Sequence, residues 1–259
     1  MATKKKITRI EDDQNTTSSS QSTPFVPTKE SKSKATQFRV IAIIAWILAI
    51  AAEIWAIIML RETPVNMTGL IILIVVDLIF AVIGSILWKK ANRFDPASEK
   101  DKVRFFIQNQ LGLIISIIAF LPLVILIFTN KNMSGKQKGI VGTIAVVALA
   151  IAGIVGYDFN PPSIEQYEEQ TKEVKSLTKD GADHVYWTKH GKSYHIYSDC
   201  SYINTDRTNE IFEGTVAKSR ELKNITDLCD RCEKRAIKEK EGTLLPTNQT
   251  PNNVNSNNQ

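Results

Sequence analysis

The segment FRVIAIIAWILAIAAEIWAIIML (38–60) carries only two charged side chains, Arg39 near its start and Glu53 inside it. Crossing a hydrocarbon core about 30 Å thick takes about 20 apolar residues, because an α-helix rises about 1.5 Å per residue. This stretch meets that requirement. So do TGLIILIVVDLIFAVIGSILW (68–88) and QLGLIISIIAFLPLVILIFT (110–129), and the shorter GIVGTIAVVALAIAGIVG (139–156) counts as a fourth because it has no charge at all. The first run begins too deep in the chain and is too long for a cleavable signal peptide, so it is expected to be a retained span.

The bulk numbers conceal this pattern. Across 259 residues the chain is 43% hydrophobic and 23% charged, with a mean hydropathy of −0.10, values that describe an ordinary soluble domain. Nearly all the long apolar runs fall between Phe38 and Gly156, however, and both ends are polar. Three Cys exclude a disulfide scaffold, and ordinary Gly and Pro with abundant aliphatics exclude a collagen-like or wholly disordered chain. The expected fold class is a membrane all-α protein: a four-transmembrane-helix bundle with a small cytoplasmic α+β zinc-binding module.

Lysine and arginine near the span ends set the orientation, since cytoplasmic flanks carry them in excess. One side holds Lys29, Lys32, Lys34, Arg39, Lys89, Lys90, Arg93, Lys100, Lys102, Arg104, Lys172 and Lys175. The other holds Arg61, Lys131, Lys136 and Lys138. Both termini are therefore expected in the cytoplasm of a multi-pass protein of the cell membrane. Small residues recur at helical spacing, with Ala45, Ala49, Ala52 and Ala56 in the first span and Ala81, Gly84 and Ser85 in the second. The third has Gln108, Gly112, Ser116 and Ala119, and the fourth Ala148, Ala152 and Gly156. Such stripes let helix backbones approach closely where lipid offers no hydrophobic drive for association.

Two carboxyls lie inside spans, Glu53 and Asp77. An ionised group at the bilayer centre costs about 3 kcal/mol on the insertion scale, so both are expected to face the bundle interior, at similar depth. One reading makes them a proton- or cation-handling pair; the other makes them protonated carboxyls hydrogen-bonded across helices to fix packing. Pro122 in the third span is a kink candidate.

Residues 1–37 run through KKK, TTSSSQST and KESKSK and are expected to be a disordered cytoplasmic arm, because they have too little aliphatic surface to offset the entropy of ordering. The Asn-rich end, 241–259, is expected to be disordered as well. Between span four and the module lies a linker, 157–180. There Pro161 and Pro162 stop the preceding helix, and Ser163 with Gln166 forms a capping box for a helix from Ile164 to about Thr178. Its narrow stripe of Ile164, Tyr167, Val174 and Leu177 suits a spacer lying against a partner surface.

The module itself, 181–240, contains every cysteine: Cys200, Cys229 and Cys232, with His195 just upstream of the first. His-x4-Cys followed by Cys-x2-Cys supplies one imidazole and three sulfurs, the donor set of a closed tetrahedral zinc site. Val185–Thr188 and Ser193–Ile196 alternate like two strands around a Lys189–Lys192 turn, and Thr215–Lys223 and Asp230–Lys240 read as helices. His184, before the first strand, and His190, in the turn, are expected to face solvent. Four protein ligands leave no open position for water, so the metal is expected to be structural Zn2+, and no catalytic residue is assigned.

The runs GKSYHIYSDC (191–200) and LCDRC (228–232), joined through a helix, resemble the small metal-binding module of the Ada-type DNA alkylation-repair proteins. In that family four cysteines hold zinc, and the first accepts a methyl group from a DNA phosphotriester. Here His195 stands at that first position, with one additional residue before the next ligand. The resemblance implies a zinc fold without the methyl-accepting nucleophile, similar to His-containing versions appended to other bacterial membrane and surface proteins. It covers about 50 residues and leaves the membrane region unassigned. Charge argues against a nucleic-acid partner, since residues 157–259 carry 14 Lys and Arg against 17 Asp and Glu, a net of −3.

Two functional readings follow. The first is a non-enzymatic multi-pass membrane protein whose partners are the lipid bilayer and another protein, its zinc module serving protein interaction or metal or redox sensing. The alternative is a small ion- or proton-coupled transporter that uses Glu53 and Asp77, with the zinc module regulatory. An enzyme is the least supported, because no nucleophile, base or phosphate loop stands out. The sequence sets no oligomeric state.

Overall fold

The computed structural model describes residues 6–10 and 25–244, and the chain divides into two compact units within residues 13–169 and within 1–12 together with 170–259. The first unit holds α1 (Lys29–Met59), α2 (Met67–Phe94), α3 (Lys102–Thr129) and α4 (Gly135–Gly156). All four are long and apolar enough to cross a membrane. Each contains one of the expected apolar stretches.

Burial within this unit runs opposite to that of a water-soluble helix bundle. The expected small residues are inside, with Ala49, Ala56, Ala81, Ala119 and Ala152 fully buried, while large aliphatics such as Ile47, Ile54, Ile79, Ile125 and Ile154 are exposed. That is the arrangement lipid selects, because the exterior solvent is itself apolar. α1 packs chiefly on α2 and α3 on α4, and α2 also touches α3 and α4. Side chains cap the helix starts: Thr28 accepts from Ser31 N, Asn66 from Gly69 N, and Ser134 and Gln137 form a capping box for α4.

The N-terminal arm was expected to be disordered throughout, and two parts of it are ordered. α1 starts at Lys29, so its 31 residues span about 46 Å, longer than the apolar stretch alone. Glu30 and Lys34 pair one turn apart, and the extension buries Ser31 and Ala35, the latter in a small cluster with Ala91 and Phe94. The other ordered part is β1 (Lys6–Arg9), which belongs to the second unit. Residues 11–24 of the arm lie outside the described residues.

α5 (Ile164–Leu177) forms where the linker helix was expected. Ser163 Oγ accepts from Gln166 N at 3.1 Å, and Glu165 takes the Ser98 hydroxyl and the Glu99 amide, which is 2.8 Å away. It is more than a spacer. Tyr167 is fully buried in the first unit, while Val174 is fully buried in the core of the second.

The second unit contains β1, β2 (Val185–Trp187), β3 (Ser193–Tyr194), β4 (Glu210–Gly214), α6 (Val216–Lys223), β5 (Asp227–Leu228) and α7 (Asp230–Leu244). β4 is central in a three-stranded sheet of order β1-β4-β2, parallel to β1 and antiparallel to β2, and β3 pairs with β5 in a parallel two-stranded sheet. The module therefore begins outside the expected 181–240, because its sheet takes a strand from the start of the chain. It also ends later: α7 runs to Leu244, four residues into the segment expected to be disordered, and 245–259 lie outside the described residues.

β1 is held by its ladder, by Thr8 Oγ1 donating to Glu210 at 2.6 Å, and by the Lys6–Glu210 and Arg9–Glu213 ion pairs at 3.3 and 3.6 Å. Deleting residues 1–10 is expected to bare the β4 edge and cost the module about 1–3 kcal/mol. Hydrogen exchange over 210–214 checks this; amides there should exchange faster, and unchanged protection would mean β1 contributes nothing.

Candidate metal centre

The register of two short strands assembles the His and Cys cluster. Tyr186 and His195 exchange backbone hydrogen bonds at 2.7 Å across the hairpin, which fixes His195 immediately after β3. β3 lies parallel to β5 with Tyr194 opposite Leu228, and Cys229 N donates to Tyr194 O at 3.0 Å. The pairing brings His195 and Cys229 alongside one another. Cys232 follows within the first turn of α7, and Cys200 opens a turn in which its carbonyl accepts from Ile203 N and Asn204 N.

All four predicted ligands converge. His195, Cys200, Cys229 and Cys232 are buried, and one donor atom from each lies within 4.8 Å of the others. Cys200 Sγ is 4.0 Å from Cys229 Sγ, and Cys232 Sγ is 3.6 Å from His195 Nδ1. A tetrahedral zinc with Zn–S of about 2.3 Å and Zn–N of about 2.0 Å places sulfurs about 3.8 Å apart and sulfur and nitrogen about 3.6 Å apart. The observed separations fit that geometry. They do not fit a disulfide, whose sulfurs are about 2.05 Å apart, and all three cysteines are free.

Electrostatics point the same way. Burial pushes the His195 imidazole down to about 4, so at neutral pH the ring is uncharged and can offer Nδ1 as a donor. Burial pushes the Cys232 thiol up to about 12, opposed by a hydrogen bond from the Tyr197 amide and reinforced by the Cys200 and Cys229 sulfurs. Three sulfurs this close cannot all be thiolates without a positive charge among them. A bound divalent cation supplies that charge and reverses the protonation balance.

A surrounding layer, which motif spacing alone did not reveal, steadies the ligand loops. Arg235 donates to both Asp199 oxygens at 2.8 and 3.0 Å and to Glu239 at 3.0 Å, while stacking 4.0 Å above the Tyr197 ring. Tyr197 OH donates to Glu239 in turn. A signal for this exists in the sequence: Cys232, Arg235 and Glu239 recur at helical spacing on α7 and so share a face.

No protein-family model matches the chain, and no curated protein and no solved structure matches it.

The other two histidines stay outside the cluster. His190 is exposed as expected, but His184 is partly buried, with Nε2 3.1 Å from the Tyr186 hydroxyl and 3.2 Å from Glu213. Within the first unit, Glu53 and Asp77 are 4% and 0% exposed and lie on helices that pack together, α1 and α2. Glu53 Oε1 and both Asp77 carboxyl oxygens have no hydrogen-bond partner, an arrangement that costs about 1–3 kcal/mol per buried polar group when nothing else fills it.

Proposed function

We propose that this chain is a non-enzymatic multi-pass membrane protein carrying a structural zinc module, which serves protein contact or metal or redox sensing at the cytoplasmic face. The observation that carries this reading is the convergence of one imidazole nitrogen and three sulfurs in a buried cluster. A set of four protein ligands fills a tetrahedron and leaves no position for a catalytic water, which favours structure over hydrolysis. The mixed N and S donors suit zinc among the abundant divalent ions.

The Ada-like run supports the same reading, because a histidine at the position of the methyl-accepting cysteine keeps a metal ligand and discards the repair chemistry. The twelve-to-four bias of basic residues supports placing both termini, and with them the module, in the cytoplasm. There a thiolate-rich site is exposed to the redox buffer and to competing metals, and loss of the ion would unfold the surface that a protein partner reads.

The test is metal analysis of the purified full chain, followed by limited proteolysis with and without a chelator. One zinc per chain is expected, with residues 181–240 protected while zinc is present, cleaved after chelation, and the membrane helices intact in both conditions. A chain without stoichiometric metal, or equal cleavage in both conditions, would overturn the reading.

A further inference from the structure

Glu53 on α1 and Asp77 on α2 are the acidic residues of the four apolar stretches, and both side chains are buried, at 4% and 0% exposure. The two helices pack against each other, and Glu53 Oε1 and both Asp77 carboxyl oxygens lack any hydrogen-bond partner.

Among the described residues, no other charged side chain stands inside the apolar stretches at this depth. The other charged residues of α1 lie at or before Arg39 and those of α2 at or after Lys89; Lys102 and Arg104 are in the first turn of α3, Lys136 and Lys138 in the first turn of α4. Both side chains are thus buried within the helix bundle, with Glu53 Oε1 and both Asp77 oxygens left without a hydrogen-bond partner. Carboxyls placed only to stitch helices together would be hydrogen-bonded across the interface, and Asp77 is not.

We infer that Glu53 and Asp77 form an intramembrane site for one small monovalent cation, H+ or Na+, held between the two carboxyls. The charge count sets the valence. Two carboxyls buried on packed neighbouring helices in a low-dielectric interior do not both ionise, so one retains its proton and a single negative charge is left for one further monovalent ion to neutralise. A divalent ion would need both buried carboxylates ionised to balance its charge. The site lies entirely within the membrane helices and does not depend on the zinc reading.

Carbodiimide labelling of the full chain in liposomes tests this, because dicyclohexylcarbodiimide adds only to a protonated carboxyl and partitions into the membrane. Peptide mass spectrometry is expected to find the adduct on Glu53 or Asp77. If the ion is H+, labelling is lost as pH rises and is indifferent to replacing K+ by Na+. If it is Na+, labelling at fixed pH is lost on that replacement. Infrared difference spectra read the same carboxyls without a reagent: a protonated-carboxyl C=O band should change with pH or with Na+ and vanish from the difference spectrum of E53Q or D77N. Spectra without such a band in the unsubstituted chain, with labelling absent or flat across pH and Na+, would overturn the inference.

Discussion

Cys232→Ser in the full chain is expected to abolish stoichiometric metal binding and to open the second unit while leaving the membrane helices folded. The size of the effect follows from how this unit is built. Its buried cluster is small, and the three cysteines are part of it, beside Val185, Trp187, Tyr194, Ile211 and Leu228. A core of that kind supplies little stability by itself, whereas structural zinc contributes on the order of 10 kcal/mol to the folding of small modules. Serine keeps the size but withholds the soft thiolate, so the remaining ligands cannot close the tetrahedron.

His195→Ala should behave in the same way, because its Nδ1 lies 3.6 Å from the Cys232 sulfur and no other histidine joins the cluster. His190→Ala, at an exposed turn, should leave metal content unchanged and provides the control. Metal analysis and hydrogen exchange across 185–240 read both outcomes. A Cys232→Ser chain that still holds one ion per molecule with native exchange protection would show that the cluster is four buried side chains and not a metal site.

The parts of this architecture that were legible in the sequence are those specified by local pattern. Alanine stripes predicted the buried faces of the membrane helices, since small residues at intervals of three or four serve little purpose except close approach in lipid. The turn at Lys189–Lys192, a helix ending at Lys223 and the four clustered His and Cys residues also came from short-range spacing. What escaped was long-range. β1 pairs with β4 about 200 positions away in the chain, and nothing in KITR identifies its partner. The residues before Phe38 read as a polar tail, yet they continue α1 because Ser31 and Ala35 find a surface to pack on, and propensity yields to that burial. The burial of Glu53 and Asp77 was legible, since both fall inside apolar stretches, but their unpartnered oxygens are a matter of geometry that no spacing encodes.

Gly156→Leu is expected to separate α3 from α4 and to be the most damaging single change in the first unit. At the crossing of these helices a Cβ on Gly156 would lie 2.7 Å from the carbonyl carbon and oxygen of Gly112, and one on Gly112 would lie 2.9 Å from Gly156 O. Both obstacles are backbone, so no rotamer change relieves them; the helices must move apart. One turn away, Ser116 Oγ lies 2.8 Å from Gly112 O and 3.0 Å from Ala152 O, and the second contact is lost if they do. Such an interhelical bond contributes about 0.6 kcal/mol in a membrane bundle, and overpacking costs about 1–3 kcal/mol, so Gly156→Leu should exceed Ser116→Ala several-fold in lost stability. Gly139 offers the contrast, since nothing lies within 4 Å of its position and alanine there should be tolerated or mildly stabilising through helix propensity. Denaturation in mixed micelles ranks the three variants. If Gly156→Leu unfolds at the same point as Gly139→Ala, the α3–α4 contact is not what holds the bundle together.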